Sequence, residues 1–328
     1  MTLTRQIVLA GGNGYIGCAT AFALSEAGFQ PIILDDYSTS KSGAQTHFDV
    51  IPVDLTQLAE TRKVFGSLGP VAGIIHFAAR ALVPESFREP SLYFRNNMLC
   101  TLHLAEVASE FNIKTIIHSS SCAVYGVPTS VPIKESSSYQ PASPYGDSKV
   151  IAEMILNRYH QMGKFRALNL RYFNPAGAWP EYSWGEAHEP ETHLLPNVLL
   201  AALTGRPVSV YGNDYNTPDG TCIRDFIHVV DLAHAHIKAW ETLDANKSLP
   251  QSLNVGTGLG VSVLEVIRAA EKVTGRTIAI DFQPRRPGDP PHLVADPQQL
   301  KKYLGWKPER SLSQMLRDDW TWRTSAIK

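Results

Sequence analysis

The sequence predicts an α/β protein built on a doubly wound parallel sheet, with a smaller, mixed α/β lobe toward the C-terminus. Three observations predict it. Short β-branched runs alternate with segments of helical periodicity through the first half of the 328-residue chain. The first of these runs passes straight into a glycine-rich turn and then a helix, the entry of a dinucleotide-binding unit. Beyond residue 174 the texture changes, with Pro, Gly, Trp and His denser over 175–196 and a second loop-rich stretch over 212–221.

The elements follow in order. Gln6–Ala10, 31–34, 49–53, 73–77 and 114–118 read as buried parallel strands, and 166–171 is a sixth. Between them, 16–27 has apolar positions at helical spacing and stops at Gly28, and 91–111 is long enough for a helix. The C-terminal part carries a helix over 262–274, a Pro/Arg-rich loop over 284–291 and a last helix over 312–324. These boundaries predict a nucleotide-binding Rossmann domain over 1–173 that regains part of 222–243. The remaining 174–221 and 244–328 form the C-terminal lobe, whose loops face the strand ends.

Composition narrows the function. Hydrophobic residues are 44% and charged residues 19% of the chain, which suits a real core. A net charge of −1 builds no field for nucleic acid or an anionic membrane, so any phosphate must be held by a few placed groups. Cys18, Cys100, Cys122 and Cys222 are far apart and read as reduced, mostly buried thiols. The N-terminal apolar run is too short for a signal-peptide core, and no apolar stretch reaches the ~18 residues of a spanning helix. The expectation is a soluble cytoplasmic protein.

The turn after the first strand reads Gly11-Gly12-Asn13-Gly14-Tyr15-Ile16-Gly17. Gly11 allows the tight turn, Gly14 lets backbone approach a pyrophosphate, and Gly17 lets helix pack on strand. The helix N-terminus then turns unpaired N–H groups on the phosphates. The second strand ends in Asp35-Asp36, near the ~20-residue offset of an acid on the adenosine ribose. An acid there repels a 2′-phosphate and favours NAD over NADP, although a solvated turn carboxylate is the plain alternative.

Ser143-Pro144-Tyr145-Gly146-Asp147-Ser148-Lys149 sets a tyrosine and a lysine four residues apart behind a helix-start signal, on one face of that helix. A free phenol, with a pKa of ~10, is no base at neutral pH. An adjacent ammonium and a cationic nicotinamide would each favour phenolate. Tyr-x-x-x-Lys alone occurs often by chance. Here the strand over 114–118 ends in Ser119-Ser120-Ser121, at the sheet edge where ligands bind, and one of these hydroxyls can hold a substrate hydroxyl beside Tyr145.

With these residues in place, the chain resembles the extended short-chain dehydrogenase/reductase family, and within it the UDP-glucose 4-epimerases, over essentially its whole length. The likeness rests on Gly11 to Gly17, Leu34-Asp35-Asp36, His76-Phe77-Ala78-Ala79, Ser119-Ser120-Ser121 with Val124-Tyr125-Gly126, and Ser143 to Lys149. It continues in Arg171-Tyr172-Phe173-Asn174-Pro175-Ala176-Gly177-Ala178, Tyr211-Gly212-Asn213-Asp214-Tyr215, Asp219-Gly220-Thr221, Arg224-Asp225-Phe226-Ile227-His228-Val229 and Arg285-Arg286-Pro287-Gly288-Asp289.

The resemblance implies Tyr145 as general acid and base, Lys149 on the nicotinamide ribose and Ser121 on the sugar hydroxyl. It implies tightly bound NAD, with Tyr15 and Ile16 at the pyrophosphate. Asp35, Asp36, Tyr37, Ser38, Thr39 and Ser40 would line the adenosine ribose, and Asp54 and Leu55 the adenine. Phe77, Ala78, Ala79, Ala81, Asn97 and Phe173 would complete that pocket. Asn174, Leu194, Tyr211, Arg224, Arg286 and Asp289 match positions that hold UDP, with His193 in the same stretch. Arg224 and Arg286 make physical sense as guanidinium clamps on a diphosphate. Leu293, four residues past Asp289, matches a gate beside the sugar C2 group, between the large aromatic of plain-hexose enzymes and the small residue of those admitting N-acetyl sugars. Ala10, Ala81 and His193 depart from the threonine, lysine and asparagine of some members.

The chemistry so implied oxidises the sugar at C4, lets the 4-keto intermediate rotate and reduces it from the other face, interconverting UDP-glucose and UDP-galactose. A homodimer through the apolar segments 92–107 and 150–159 is implied as well. Dehydratases of this family need an Asp-Glu pair just after the active-site hydroxyl, and Cys122-Ala123 stand there instead. Two readings remain beside it: a 4-epimerase of a UDP-N-acetylhexosamine or UDP-pentose, and a non-catalytic NAD-sensing protein on the same fold, which would commonly lose the Tyr/Lys pair. His228, His234 and His236 hint at a metal, but this chemistry needs none, so no metal is expected. Cys122 has no evident base partner.

Overall fold

The computed structural model describes residues 5–39, 47–286 and 288–325. Ser40, expected at the adenosine ribose, lies outside the described residues. The chain runs β1 (Gln6–Ala10), α1 (Tyr15–Glu26), β2 (Gln30–Asp35), β3 (Val50–Pro52), α2 (Leu58–Ser67), β4 (Val71–His76), α3 (Val83–Arg88), α4 (Pro90–Glu110), β5 (Thr115–Ser121), α5 (Pro144–Gln161) and β6 (Arg166–Tyr172). It continues through β7 (Asn174–Ala176), β8 (Ala178–Trp179), β9 (Trp184–Gly185), α6 (Leu194–Thr204), β10 (Val208–Tyr211), β11 (Ile223–His228), α7 (Val229–Asp244) and β12 (Ser252–Val255). The last elements are β13 (Gly260–Ser262), α8 (Val263–Thr274), β14 (Ile280–Gln283), β15 (His292–Leu293), α9 (Gln298–Leu304) and α10 (Leu312–Ser325).

Seven strands form one sheet in the order β12-β6-β5-β4-β1-β2-β3, and every pairing in it is parallel. Successive residues of a strand face opposite ways. Ile7 and Leu9 therefore join the apolar layer under α1 and α7, with Phe22, Leu24 and Trp240. Val8 and Ala10 join the layer under α4 and α5, with Leu104, Val107 and Leu156. A sheet buried on both faces explains why its strands read as continuous apolar runs rather than alternating ones. Each Leu or Ile sealed in these layers contributes roughly 1.5–3 kcal/mol.

Strand order reverses between β3 and β4, because the chain crosses from one side of β1 to the other. This opens a crevice at the carboxyl ends of β1 and β4, the topological position for a ligand in such a sheet. The local signals hold the elements there. Ser143 caps α5, its Oγ accepting from the Gly146 amide at 3.1 Å, with Pro144 at the first helical position. Ser262 and Glu265 form a reciprocal capping box on α8.

Two elements differ from the sequence expectation. The seventh strand is β12, Ser-Leu-Asn-Val, from a stretch expected in the C-terminal lobe. Its two polar side chains hid it from periodicity, yet all four residues are buried because Ser252 and Asn254 find internal partners. β5 also runs on through Ser121, since Ser119, Ser120 and Ser121 pair with Leu170, Arg171 and Tyr172 of β6. Only the last of the three hydroxyl residues stands at the sheet edge.

A second set of strands, β13-β11-β15 with β7 on β11, extends beyond the carboxyl edge of the main sheet. It packs with α6, α8 and α10 around its own core of Leu195, Val198, Leu199, Val266, Ile267, Met315 and Leu316. Among the described residues no helix is long and apolar enough to cross a membrane.

Candidate active site

The glycine turn is shaped by close backbone contact. Gly11 has φ +73°, and a Cβ there would lie 2.4 Å from the Ala78 amide nitrogen. A Cβ on Gly17 would lie 2.7 Å from Gly12 Cα. Gly14 is different: its nearest neighbour would be the Gly11 carbonyl oxygen at 3.7 Å, so no protein atom demands a glycine there. Gly14 also begins α1 with no side-chain cap, which leaves the first-turn N–H groups of Tyr15, Ile16 and Gly17 without intrahelical acceptors. An open cradle at an uncapped helix start fits a pyrophosphate. The Tyr15 ring points elsewhere, its hydroxyl donating to the Gly177 carbonyl at 2.5 Å.

The two acids after β2 divide their tasks. Asp35 is buried; its carboxylate accepts from the Asn13 amide at 3.0 Å and the Tyr37 amide at 2.9 Å, bracing the glycine turn. Asp36 is exposed and, among the described residues, accepts from the Ser38 amide at 2.9 Å in a local turn, with Thr39 beyond it. Asp54 likewise turns the chain after β3 by accepting from Thr56, and the Leu55 carbonyl meets the His103 ring. Phe77 and Ala78 hold the other lip of the crevice through their amides, which donate to the Ala10 carbonyl at 2.7 and 2.8 Å. Asn97 on α4 clamps both backbone groups of Arg80, between Ala79 and Ala81, and donates to Ser148 Oγ at 2.8 Å. That side chain links the crevice wall to α5.

On α5, Tyr145 and Lys149 project toward the end of β5. The Ser121 side chain lies near the half-buried Tyr145 phenol. Lys149 is buried, its ammonium donating to the Ser119 carbonyl at 2.7 Å and lying 6.0 Å from the Tyr145 ring centroid. Burial pushes the Tyr145 phenol up to about 12, with the Ser121 hydrogen bond pulling the other way. Burial pushes the Lys149 ammonium down to about 8 against the Glu153 charge. The sequence reading had the ammonium lowering the phenol; among the protein's own groups desolvation wins, because it disfavours both charged forms.

Below this pair lies a network the sequence reading did not single out. Arg171 on β6 and Glu153, one turn past Lys149, form a buried two-pronged ion pair at 2.9 and 2.7 Å. Tyr125, Tyr139, Ser120 and Ser252 complete its hydrogen bonds. Arg171 stood within a quoted motif; only the i, i+4 relation of Glu153 to Lys149 could have pointed to the acid.

The C-terminal residues gather around the same end. Phe173 packs in one cluster with Cys122, Val124 and Tyr125, and the partly buried Leu293 lies against that cluster. Arg224 pairs with Asp289, and the Arg286 guanidinium lies 3.8 Å from the Tyr211 ring centroid. The two expected clamps thus each have an internal partner. Asn174 donates to the Asp225 carbonyl at 3.0 Å. Leu194 begins α6, while His193 turns its ring to the buried Glu186, Nδ1 to Oε1 at 2.6 Å. Cys122 is buried with its thiol pushed up to about 12, which disarms it as a nucleophile. Of the histidines that hinted at a metal, His228 caps α7 and meets Asp318, His236 bonds Tyr172 and the Leu232 carbonyl, and His234 packs edge-on against the Trp179 ring at 5.9 Å.

A dinucleotide crevice with a Ser/Tyr/Lys constellation beside it defines an oxidoreductase-type site on a Rossmann sheet. Residues 7–256 match the model of the NAD dependent epimerase/dehydratase family, and the chain belongs to that family. It is 42% identical over 320 residues to a UDP-glucose 4-epimerase of Lacticaseibacillus casei, covering 96% of each chain. To the UDP-glucose 4-epimerase of Rhizobium leguminosarum bv. trifolii it is 40% identical over 324 residues, covering 98% of each. Its fold superposes with a TM-score of 0.92, at 38% identity, on the crystal structure of a Bifidobacterium longum UDP-glucose 4-epimerase in complex with NAD+ and UDP. That likeness covers 98% of this chain and 99% of the other.

Proposed function

We propose that this protein interconverts UDP-glucose and UDP-galactose by reversible oxidation at sugar C4. The observation that carries the reading is the half-buried Tyr145, with the Ser121 side chain near its phenol and the buried Lys149 ammonium 6.0 Å from its ring centroid, at the open end of the dinucleotide crevice. The full-length likeness to UDP-glucose 4-epimerases supports it.

NAD, when bound, supplies a reversible hydride acceptor and a cationic ring. The glycine turn and the start of α1 receive its pyrophosphate, and Asp36 its adenosine ribose, with Asp35 bracing the turn. Tyr145 takes the proton of the sugar 4-hydroxyl and later returns it, and Ser121 orients that hydroxyl. Lys149 binds the nicotinamide ribose and adds positive charge near the phenol. In this reading residues 1–173, with later returns such as β12, form the nucleotide domain. The remaining lobe binds UDP through Asn174, Leu194, Tyr211, Arg224, Arg286 and Asp289. The working form is a cytoplasmic homodimer.

The absence of a carboxylate at Cys122 and Ala123 argues against water elimination, which needs its own acid and base. Leu293, partly buried against the cluster that holds Phe173, Cys122 and Tyr125, limits the sugar site. An N-acetyl group in place of a hydroxyl overpacks it, at a cost of about 1–3 kcal/mol. Purified protein without added NAD is therefore expected to convert UDP-galactose to UDP-glucose, and to act weakly on UDP-N-acetylglucosamine. Denaturation should release NAD in a one-to-one ratio with chain. Activity only with added NADP would refute the cofactor assignment, and equal rates on both sugar classes would refute Leu293 as the limiting wall.

A further inference from the structure

We propose that Glu186, His188, Glu191 and His193 bind one divalent transition-metal ion, and that this ion fastens the segment between β9 and α6. Each of the four residues can place one donor atom within 4.8 Å of the other three. Glu186 Oε1 already lies 3.0 Å from His188 Nδ1 and 2.6 Å from His193 Nδ1, and His193 Nδ1 is 3.6 Å from Glu191 Oε1. The two imidazole rings stand 5.4 Å apart and tilted.

A second observation asks for a cation. Oε2 of Glu186 and Oε2 of Glu191 are both sealed from solvent and have no hydrogen-bond partner. Their side chains are only 3% and 7% exposed. A protonated His193 paired with Glu186 would satisfy Oε1 of that residue and leave both Oε2 atoms bare. Buried carboxylate oxygens without partners are held by cations or metals elsewhere in proteins.

The donor set selects the ion. Two imidazoles with two carboxylates suit Zn2+, Co2+ or Ni2+, whereas Mg2+ and Ca2+ take oxygen shells. Metal–donor bonds of about 2.0–2.2 Å bring donors about 3–4 Å apart. To reach that spacing the 2.6 Å His193–Glu186 pair opens and the wider pairs close, by rotation of His188 and His193, whose side chains are 36% and 50% exposed and leave an entry path. The Glu186 main chain is held by Arg323, which donates to its carbonyl, and the Glu191 carboxylate is held from behind, its Oε1 accepting from the Thr192 and His193 amides. Such outer contacts orient ligands in metal sites. Because His193 immediately precedes α6, the ion would anchor the start of that helix. The ion is structural, and the sugar chemistry does not use it.

The test uses the full chain without a histidine tag, stripped with chelator and titrated with Zn2+ by calorimetry and with Co2+ in visible absorption. One ion per chain is expected, with visible Co2+ bands, a raised thermal midpoint and no response to Mg2+. His188→Ala and Glu191→Gln should each weaken Zn2+ binding by about tenfold or more, while turnover of UDP-galactose persists and shows that both variants fold. No saturable binding at about 100 µM Zn2+, or equal binding by the doubly substituted chain, would overturn the proposal and leave a His193–Glu186 ion pair.

Discussion

Tyr145 and Lys149 stand one helical turn apart, and burial moves their pKa values in opposite directions, the phenol up to about 12 and the ammonium down to about 8. The folded Lys149 value lies below the ordinary 10.5, so between about 8 and 10.5 the unfolded chain binds more protons. In that window this lysine makes the fold more stable as pH rises, because the buried charge is being lost. The same loss removes the cation proposed to hold NAD. NAD retention is therefore expected to fall as pH rises through about 8, without a matching fall in unfolding midpoint from this group, and Lys149→Met should bind NAD weakly at every pH. Tyr145→Phe should keep fold and NAD while turnover drops about 10²–10⁴-fold. Near-normal turnover in that variant would show that another group moves the proton. Release of NAD from both proteins, followed against pH, checks the first expectation.

At the scale of elements, the Glu153–Arg171 pair joins α5 to β6, and its partners Tyr125 and Ser252 bring in the segment after β5 and the edge strand β12. Both side chains are almost fully buried, so neither charge can be left alone. Glu153→Ala is expected to destabilise the protein by about 3–5 kcal/mol, because it strands a buried guanidinium. Replacing both residues by apolar ones of similar volume should cost far less. Urea unfolding of the single and double variants measures this, and a single variant within the noise of the parent would mean that water reaches Arg171. The network was poorly legible because Glu153, Arg171 and Ser252 are far apart in sequence and meet only through sheet order. The same holds for β12, whose register on β6 fixes the chain after Phe173. By contrast α1 and α8 were legible to within a residue or so, and the start of α5 from Ser143 and Pro144, because glycine turns, caps and prolines act within one turn.

For the whole molecule, the helix pair α4 and α5 leaves Leu92 37% and Met154 61% exposed, with Phe87 of the neighbouring α3 at 53%. Exposed apolar groups on adjoining helices suit a helix-on-helix contact between two copies. Light scattering after size exclusion is expected to give about twice the chain mass of 36.1 kDa. Met154→Glu should shift that value toward the monomer, and a parent protein at monomer mass would refute the dimer.

The amino-acid sequence by itself determined whatever short-range geometry controls. The turn from Gly11 to Gly17 requires glycine at Gly11, Gly12 and Gly17 within seven residues, Ser143 and Pro144 start a helix on the spot, and that helix puts Tyr145 and Lys149 on one face. Tertiary structure decided what depends on neighbours distant in sequence. It chose which of three serines reaches the sheet edge, and which of two acids braces the turn while the other stays open. It set the sign of the Tyr145 shift, because desolvation depends on everything packed around the phenol. It also shut the carboxylates of Glu186 and Glu191 away from water beside two histidines. The spacing of Glu186, His188, Glu191 and His193 was present in the sequence, but the burial of the two carboxylates beside the two more open histidines is a property of the folded chain alone.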